Sequence, residues 1–177
     1  NNAEKNSSKI VGKAIYEGAN IAADALKKSV QDLPLDERHG SPDAPLNGIK
    51  KLQRIGLEKG LGIAPMQDDK GFQNVKIGFD GYNLIKTKKY PNGQPNAMIA
   101  RATESGTSFS QKIPFIRSTL KNIRTSVKKK MSISSLPSAA EVSLIPQRRS
   151  DMVLQMKETC GISLILNGNR LHVCRSV

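Results

Sequence analysis

The sequence predicts an α+β fold, a small antiparallel β-sheet packed against two long α-helices. Two segments, residues 9–31 and 113–131, repeat apolar residues at helical spacing. Between them lie short alternating stretches bounded by Gly, Pro, Asn and Asp, the pattern of strands joined by turns.

Over residues 9–31, Val11, Ile15, Ala22, Leu26 and Val30 share one helical face, which Ile10, Ala14, Ile21 and Ala25 widen. Ser7 or Ser8 is placed to cap the start, and Pro34 to stop the chain from continuing as helix. Gly12 and Gly18 lower helix propensity, and their small size suits close packing against another element. Residues 32–48, with Pro34, Pro42, Pro45, Gly40 and Gly48, read as loop, and residues 49–55 fit a short helix or strand. Strands are predicted at Leu61–Met66 and Val75–Phe79, joined by a hairpin loop over Gln67–Gly71. Residues 81–97 return to loop, with Lys86, Lys88, Lys89 and the turn Pro91-Asn92-Gly93, and residues 98–104 read as a third strand.

The second long helix is predicted from Ile113 to Met131, with Pro114 in its first turn. Ile116, Leu120, Ile123 and Val127 form its apolar stripe. Arg117, Lys121, Arg124 and Lys128 follow the same steps one residue later, so a basic stripe lies about 100° around the helix. After Met131 the composition changes to a Ser-rich linker, 132–138. Strands are expected at 162–166 and 171–174 around an Asn167-Gly168 turn. The chain thus divides into a folded unit over residues 1–131 and an unassigned C-terminal extension over 132–177.

Aromatic residues are 4% of the 177 and Trp is absent, so the core must be built from Ile, Leu, Val and Ala. The net charge is +13, and residues 1–131 hold 23 Lys/Arg against 12 Asp/Glu. Such an excess favours a polyanionic neighbour, most simply nucleic acid, although a solvated basic surface accounts for it equally well. No apolar run approaches the roughly 20 residues of a membrane helix, and the polar start, Asn1 to Ser8, does not read as a secretory signal. Cys160 and Cys174 make neither a disulfide scaffold nor a zinc pattern; a reduced, cytoplasmic origin is the simplest reading, with a single bridge left open.

Catalytic signals are thin. Neither His39 nor His172 has a nucleophile or carboxylate at a motif spacing. The glycine-rich run Gly56 to Gly62 lacks the Gly-Lys-Ser/Thr of a phosphate loop, and Asp68, Asp69 and Asp80 read as a solvated hairpin rather than a cation site. The sequence therefore predicts no enzyme, no cofactor and no metal. The basic stripe is more informative, because no Asp or Glu lies between Gly106 and Met131 to intersperse it. Contact with an acidic partner or with DNA follows, without base-specific reading, since no DNA-reading motif is visible.

The segment Ala100-Arg-Ala-Thr-Glu-Ser-Gly-Thr-Ser108 followed by Pro114-Phe-Ile-Arg117 has its own physical logic. Gly106 is suited to a positive φ that turns the chain, Glu104 or Thr107 to bonding loop backbone, and Phe115 to anchoring the helix start. Arg117 is then within reach of carbonyls, a carboxylate or a neighbouring subunit. In order with the glycine-containing first helix, the Pro-rich loop, Gly62-Ile-Ala-Pro-Met66 and the strand Val75 to Asp80, this segment resembles a family of siphophage neck, or tail-completion (head–tail joining), proteins named after the gene-ten tail component of a lambda-like phage. The resemblance covers residues 9–131. It departs at Ser118, where the family often has Pro, at the expanded loop 33–56, and beyond residue 132.

The resemblance implies a structural virion protein assembled in the host cytoplasm as a homo-oligomeric ring, a hexamer. Its partners would be head-completion or connector proteins on one side and tail-terminator or tail-tube proteins on the other. DNA would pass with transient, non-specific contact, and no membrane is involved. The interface or DNA-channel candidates are Lys86, Lys88, Lys89, Arg101, Glu104, Arg117, Lys121, Arg124 and Lys128. The alternative is a small basic DNA-binding or packaging accessory protein.

Overall fold

The computed structural model describes residues 2–69, 72–134, 153–154, 163–167 and 170–174. The fold is α+β. Helix α1 spans Asn2–Gln31, α2 Lys51–Gly60, α3 Asn96–Ser105 and α4 Phe115–Ser134. Strands β1 (Leu61–Ile63), β2 (Gln67–Asp69), β3 (Phe72–Val75) and β4 (Ile77–Phe79) lie between α2 and α3. Among the described residues no helix is long and apolar enough to cross a membrane.

Three expectations need correction. Residues 98–104 are not a third strand but most of α3. Asn96, Ile99, Ala100, Thr103 and Glu104 are its buried positions, a helical spacing that a seven-residue window with two alanines concealed. Helix α1 starts at Asn2, so Ser7 and Ser8 are interior positions rather than caps. The residues after Gln31 close it as expected, with Asp32 N–H donating to Lys28 O at 3.0 Å ahead of Pro34. Gln67–Asp69, expected in a hairpin loop, is strand β2, paired with β3. Of the two alternatives for 49–55 the helix is found, as α2 from Lys51, which places Gly56 within a helix and Gly60 at its end.

β1 to β4 form one long antiparallel hairpin with a break in register. Leu61, Gly62 and Ile63 pair with Phe79, Gly78 and Ile77, and Ala64 N–H donates to Lys76 O at 2.7 Å. Gln67 then pairs with Asn74, so Pro65 and Met66 together face the single Val75. This is a β-bulge, and Pro65, which has no N–H to give, sits in it. The N–H of Met66 finds its partner outside the hairpin, in the Tyr16 hydroxyl of α1 at 2.8 Å. The bulge thereby ties the hairpin to α1.

The core runs between the hairpin and the helices. Val75, Ile77 and Phe79 alternate inward from the second limb of the hairpin. They meet Ile15, Ala19, Ala22, Leu26 and Val30 of α1 and Ile116, Leu120, Val127 and Met131 of α4 in one apolar cluster. The apolar stripes read from the sequence are the buried faces. Gly18 is a point of close approach between α1 and α4, where an added Cβ would lie 2.8 Å from Met131 and 3.3 Å from Val127. Gly12 is similarly covered by Met66, so both α1 glycines serve packing.

In the C-terminal segment, β5 (Val153–Leu154) pairs parallel with β3. β6 (Ser163–Asn167) and β7 (Arg170–Cys174) pair antiparallel, as the sequence suggested. Gly168, Cys160 and the Ser-rich stretch beyond Ser134 lie outside the described residues.

Gly60 offers a test in which two effects compete. Alanine near a helix end gains about 1 kcal/mol in propensity. Here, however, the new Cβ would stand 2.2 Å from the Asp80 carbonyl oxygen and 2.6 Å from Asn96 Nδ2. The clash involves backbone and should win, so Gly60→Ala is expected to destabilise by about 1–3 kcal/mol. Gly62→Ala, with nothing within 4 Å of its Cβ, should change stability by less than about 0.5 kcal/mol. Denaturant unfolding of the two variants checks this; equal effects would contradict the close approach of α2 to Asp80.

Candidate functional site

Helix α4 begins with a problem of its own. Pro114, whose carbonyl accepts the first helical bond from Ser118 N–H at 3.1 Å, has no side chain able to cap it. Glu104, at the end of α3, supplies the missing acceptor. Its carboxylate accepts from Ile116 N–H at 2.8 Å and from Arg117 N–H at 3.3 Å, the second and third helical amides. The Arg117 guanidinium closes over the same oxygen at 3.2 Å. A negative charge at this helix end also meets the positive end of the backbone dipole.

The connection between α3 and α4 is shaped to bring the carboxylate there. Gly106 takes φ +76°, which turns the chain out of α3, and its N–H caps that helix by donating to Ala102 O at 2.8 Å. Thr107 and Ser110 bond each other's backbones, and Thr107 Oγ1 accepts from Phe109 N–H at 3.2 Å. Ile113 N–H returns to Thr103 O at 2.8 Å. Phe115 is then buried, edge-on to Phe79 at 6.1 Å between ring centroids. The motif residues that sequence reading grouped thus form one clasp.

Glu104 is only 2% exposed, so it is an internal tie rather than a surface contact. Burial pushes its carboxyl above the ordinary value; the Ile116 and Arg117 amides, the Arg117 guanidinium and Lys112 pull the other way, and burial prevails. Of the open alternatives for Arg117, the carboxylate is the partner found.

The remaining candidates are distributed over two surfaces. Arg101 is exposed on α3 and Lys121 on α4. Arg124 and Lys128 are half-buried on the same helix, so the basic stripe borders the α4 face that packs on the core. Lys130 crosses to Glu17 of α1 at 3.6 Å.

Lys86, Lys88 and Lys89 stand apart, exposed on the loop 81–95. This loop is an ordered arm. Asn96 N–H to Gly81 O at 3.0 Å and Asn83 N–H to Gln94 O at 2.9 Å close its base, and reciprocal bonds between Thr87 and Tyr90 close its tip. Asn83 is seated against Gly56 of α2, and Gln53 donates to Gln94 at 3.0 Å. Gly93, at φ +110°, allows the Asn83 carbonyl to approach within 2.0 Å of where a Cβ would be. Lys89 lies 5.5 Å from the Tyr90 ring centre.

Sequence reading missed the apolar half of the arm, Tyr82 and Leu84, which are 64% and 72% exposed. The available signal was two large apolar residues in a segment otherwise made of turn formers and lysines. It also missed the order in loop 32–50, here the strap. Its Leu35 and Ile49 bridge in parallel, as do its Leu46 and Ser110 of the clasp. Asp36 accepts from Arg38 and from Asn47 N–H, and these bonds, that to Arg38 first, hold its carboxyl well below the usual range. Glu37 accepts from Lys51 N–H at 2.7 Å, a cap for α2.

Among the described residues no three His, Cys, Asp or Glu side chains come together as metal ligands. No family model matches the chain, and neither does any curated protein or solved structure.

Glu104→Ala should cost about 2–3 kcal/mol, since two helical amides lose their acceptor and Arg117 its partner. Glu104→Gln, which keeps one acceptor oxygen, should cost less. The raised carboxyl pKa fixes the sign of the pH effect: the folded state takes up the proton before the unfolded chain does. The contribution of this group to stability is therefore fully present below its unfolded pKa and lost as pH rises through the folded one. Relative to Glu104→Gln, the wild type should gain stability between pH 7 and pH 4. Melting curves of both proteins across that range check it; a wild type that loses ground on acidification would contradict the dominance of burial.

Proposed function

We propose that this chain is a structural protein of a tailed bacteriophage particle. It would form a ring at the head–tail junction, as a neck or tail-completion component through which DNA passes. The observation that carries the reading is the clasp. The residues on which the family resemblance rests, Glu104, Gly106, Phe115 and Arg117, belong to one hydrogen-bonded unit that fixes α4 against α3. A mechanical part needs such a rigid frame, with its exposed residues left for partners.

The partners are a head-completion or connector protein above and a tail-terminator or tail-tube protein below, and the protein is virion-localised. The exposed cations, Lys121 on α4 among them, supply a weak field that lets a polyanion pass. Tight phosphate pairing would stall transit, and lysine serves as a hydrated point charge.

A second reading, a small basic DNA-binding or packaging accessory protein, is favoured by the same helix, whose face carries cations with no acid from Gly106 to Met131. Salt dependence separates the two. The neck reading predicts rings visible by electron microscopy, alone or on heads that lack their neck, and weak duplex binding with a shallow salt slope. A monomer that holds duplex DNA tightly at low salt and releases it steeply as salt rises would overturn it.

A further inference from the structure

We infer that the base of the arm holds a binding site for one water molecule, which bridges Asn83 of the arm and Asn96 of α3 beside Gly56 of α2. The inference is independent of the ring reading. Asn83 and Asn96 are 3% and 2% exposed, so both amides are cut off from bulk solvent. Each is half satisfied. Asn83 Oδ1 accepts from Ile85 N–H at 2.8 Å, and Asn96 Nδ2 donates to Asp80 O at 2.7 Å. The other atom of each amide, Asn83 Nδ2 and Asn96 Oδ1, has no hydrogen-bond partner among the described residues. Buried polar groups in folded proteins are almost always paired, because leaving one unpaired forfeits its hydration with no return.

The two bonds already made fix which atoms are free. A backbone N–H only donates and a backbone carbonyl only accepts, so neither amide can turn over without losing its anchor. One donor and one acceptor therefore remain. Both belong to side chains packed on the same glycine: a Cβ at Gly56 would lie 2.6 Å from Asn83 Cβ and 2.6 Å from Asn96 Oδ1. Gly60, one turn further along α2, is covered by the same Asn96 amide, its Cβ position 2.6 Å from Nδ2.

This combination selects the ligand. A metal cation seeks oxygen atoms and is repelled by the Asn83 amide hydrogens. An anion is repelled by Asn96 Oδ1. A water molecule accepts from the first and donates to the second, and still has capacity for a further bond. Burial and the tight packing around Gly56, where even a methyl group does not fit, exclude anything larger. The position gives the water a structural task. Asn83 N–H bonds Gln94 O across the base of the arm, and Asn96 N–H bonds Gly81 O. A bridge between the two side chains adds a polar tie from the arm to α3 at the point where both lie against α2.

The test uses the full chain. A high-resolution crystal structure should show a water oxygen about 2.7–3.2 Å from both Asn83 Nδ2 and Asn96 Oδ1. In solution, the Asn83 side-chain amide protons should give water cross-peaks with the sign of a molecule held longer than the tumbling time of the protein. Asn83→Ala, which removes the donor, should lower the count of long-lived waters in relaxation dispersion of the solvent signal. If that variant does not fold, the two wild-type measurements decide alone. A direct bond between the two amides, an electron-density map with no water at either atom, or cross-peaks of the sign given by rapidly exchanging water would each overturn the site.

Discussion

One buried carboxylate governs how the helices meet. A helix start leaves amides without partners, and the start of α4 has Pro114 where a capping side chain would stand. Glu104 reaches it from ten residues upstream, at the end of another helix. Bringing a carboxylate into the interior carries a desolvation cost of several kcal/mol, which two amides, a guanidinium and the helix dipole offset only in part. The result is geometric. The end of α3 must lie at the start of α4, Phe115 must enter the core beside Phe79, and α4 must then run along α1 with Gly18 under Val127 and Met131.

The rest of the chain is fastened by backbone rather than by large side chains. With few aromatics available, neighbouring segments approach until only hydrogen fits between them. Gly48 is pressed on the Pro34 carbonyl, Gly60 on that of Asp80 and Gly93 on that of Asn83. These contacts turn two long irregular segments, the strap and the arm, into fixed features.

Much of this was legible in the sequence. The apolar stripes of α1 and α4 were, because long helices repeat their pattern several times. The alternation Val75, Ile77, Phe79 marked the inner limb of the hairpin for the same reason. Residues 98–104 were misread because Ala100 and Ala102 weaken any pattern and Thr103 and Glu104, both polar, are buried. Their burial depends on the partner at α4, which no local window contains. Grouping Glu104 with Arg117 was within reach of sequence; seeing that the first caps the helix bearing the second required the fold. The order in the arm and strap was hidden too, since glycines and prolines mark turns without saying what the turns pack against.

The central claim is that Glu104 holds the start of α4, and residue-resolved hydrogen exchange of the full chain tests it most directly. In the wild type, the Ile116 and Arg117 amides, normally unprotected at a helix start, should exchange as slowly as the amides of the hairpin. In Glu104→Ala they should become fast while Ala64 and Asp80, bonded within the hairpin and at its junction with α2, stay protected. If Ile116 and Arg117 exchange at the rate of an open helix end in the wild type, the carboxylate is not seated there and the account of the clasp is wrong.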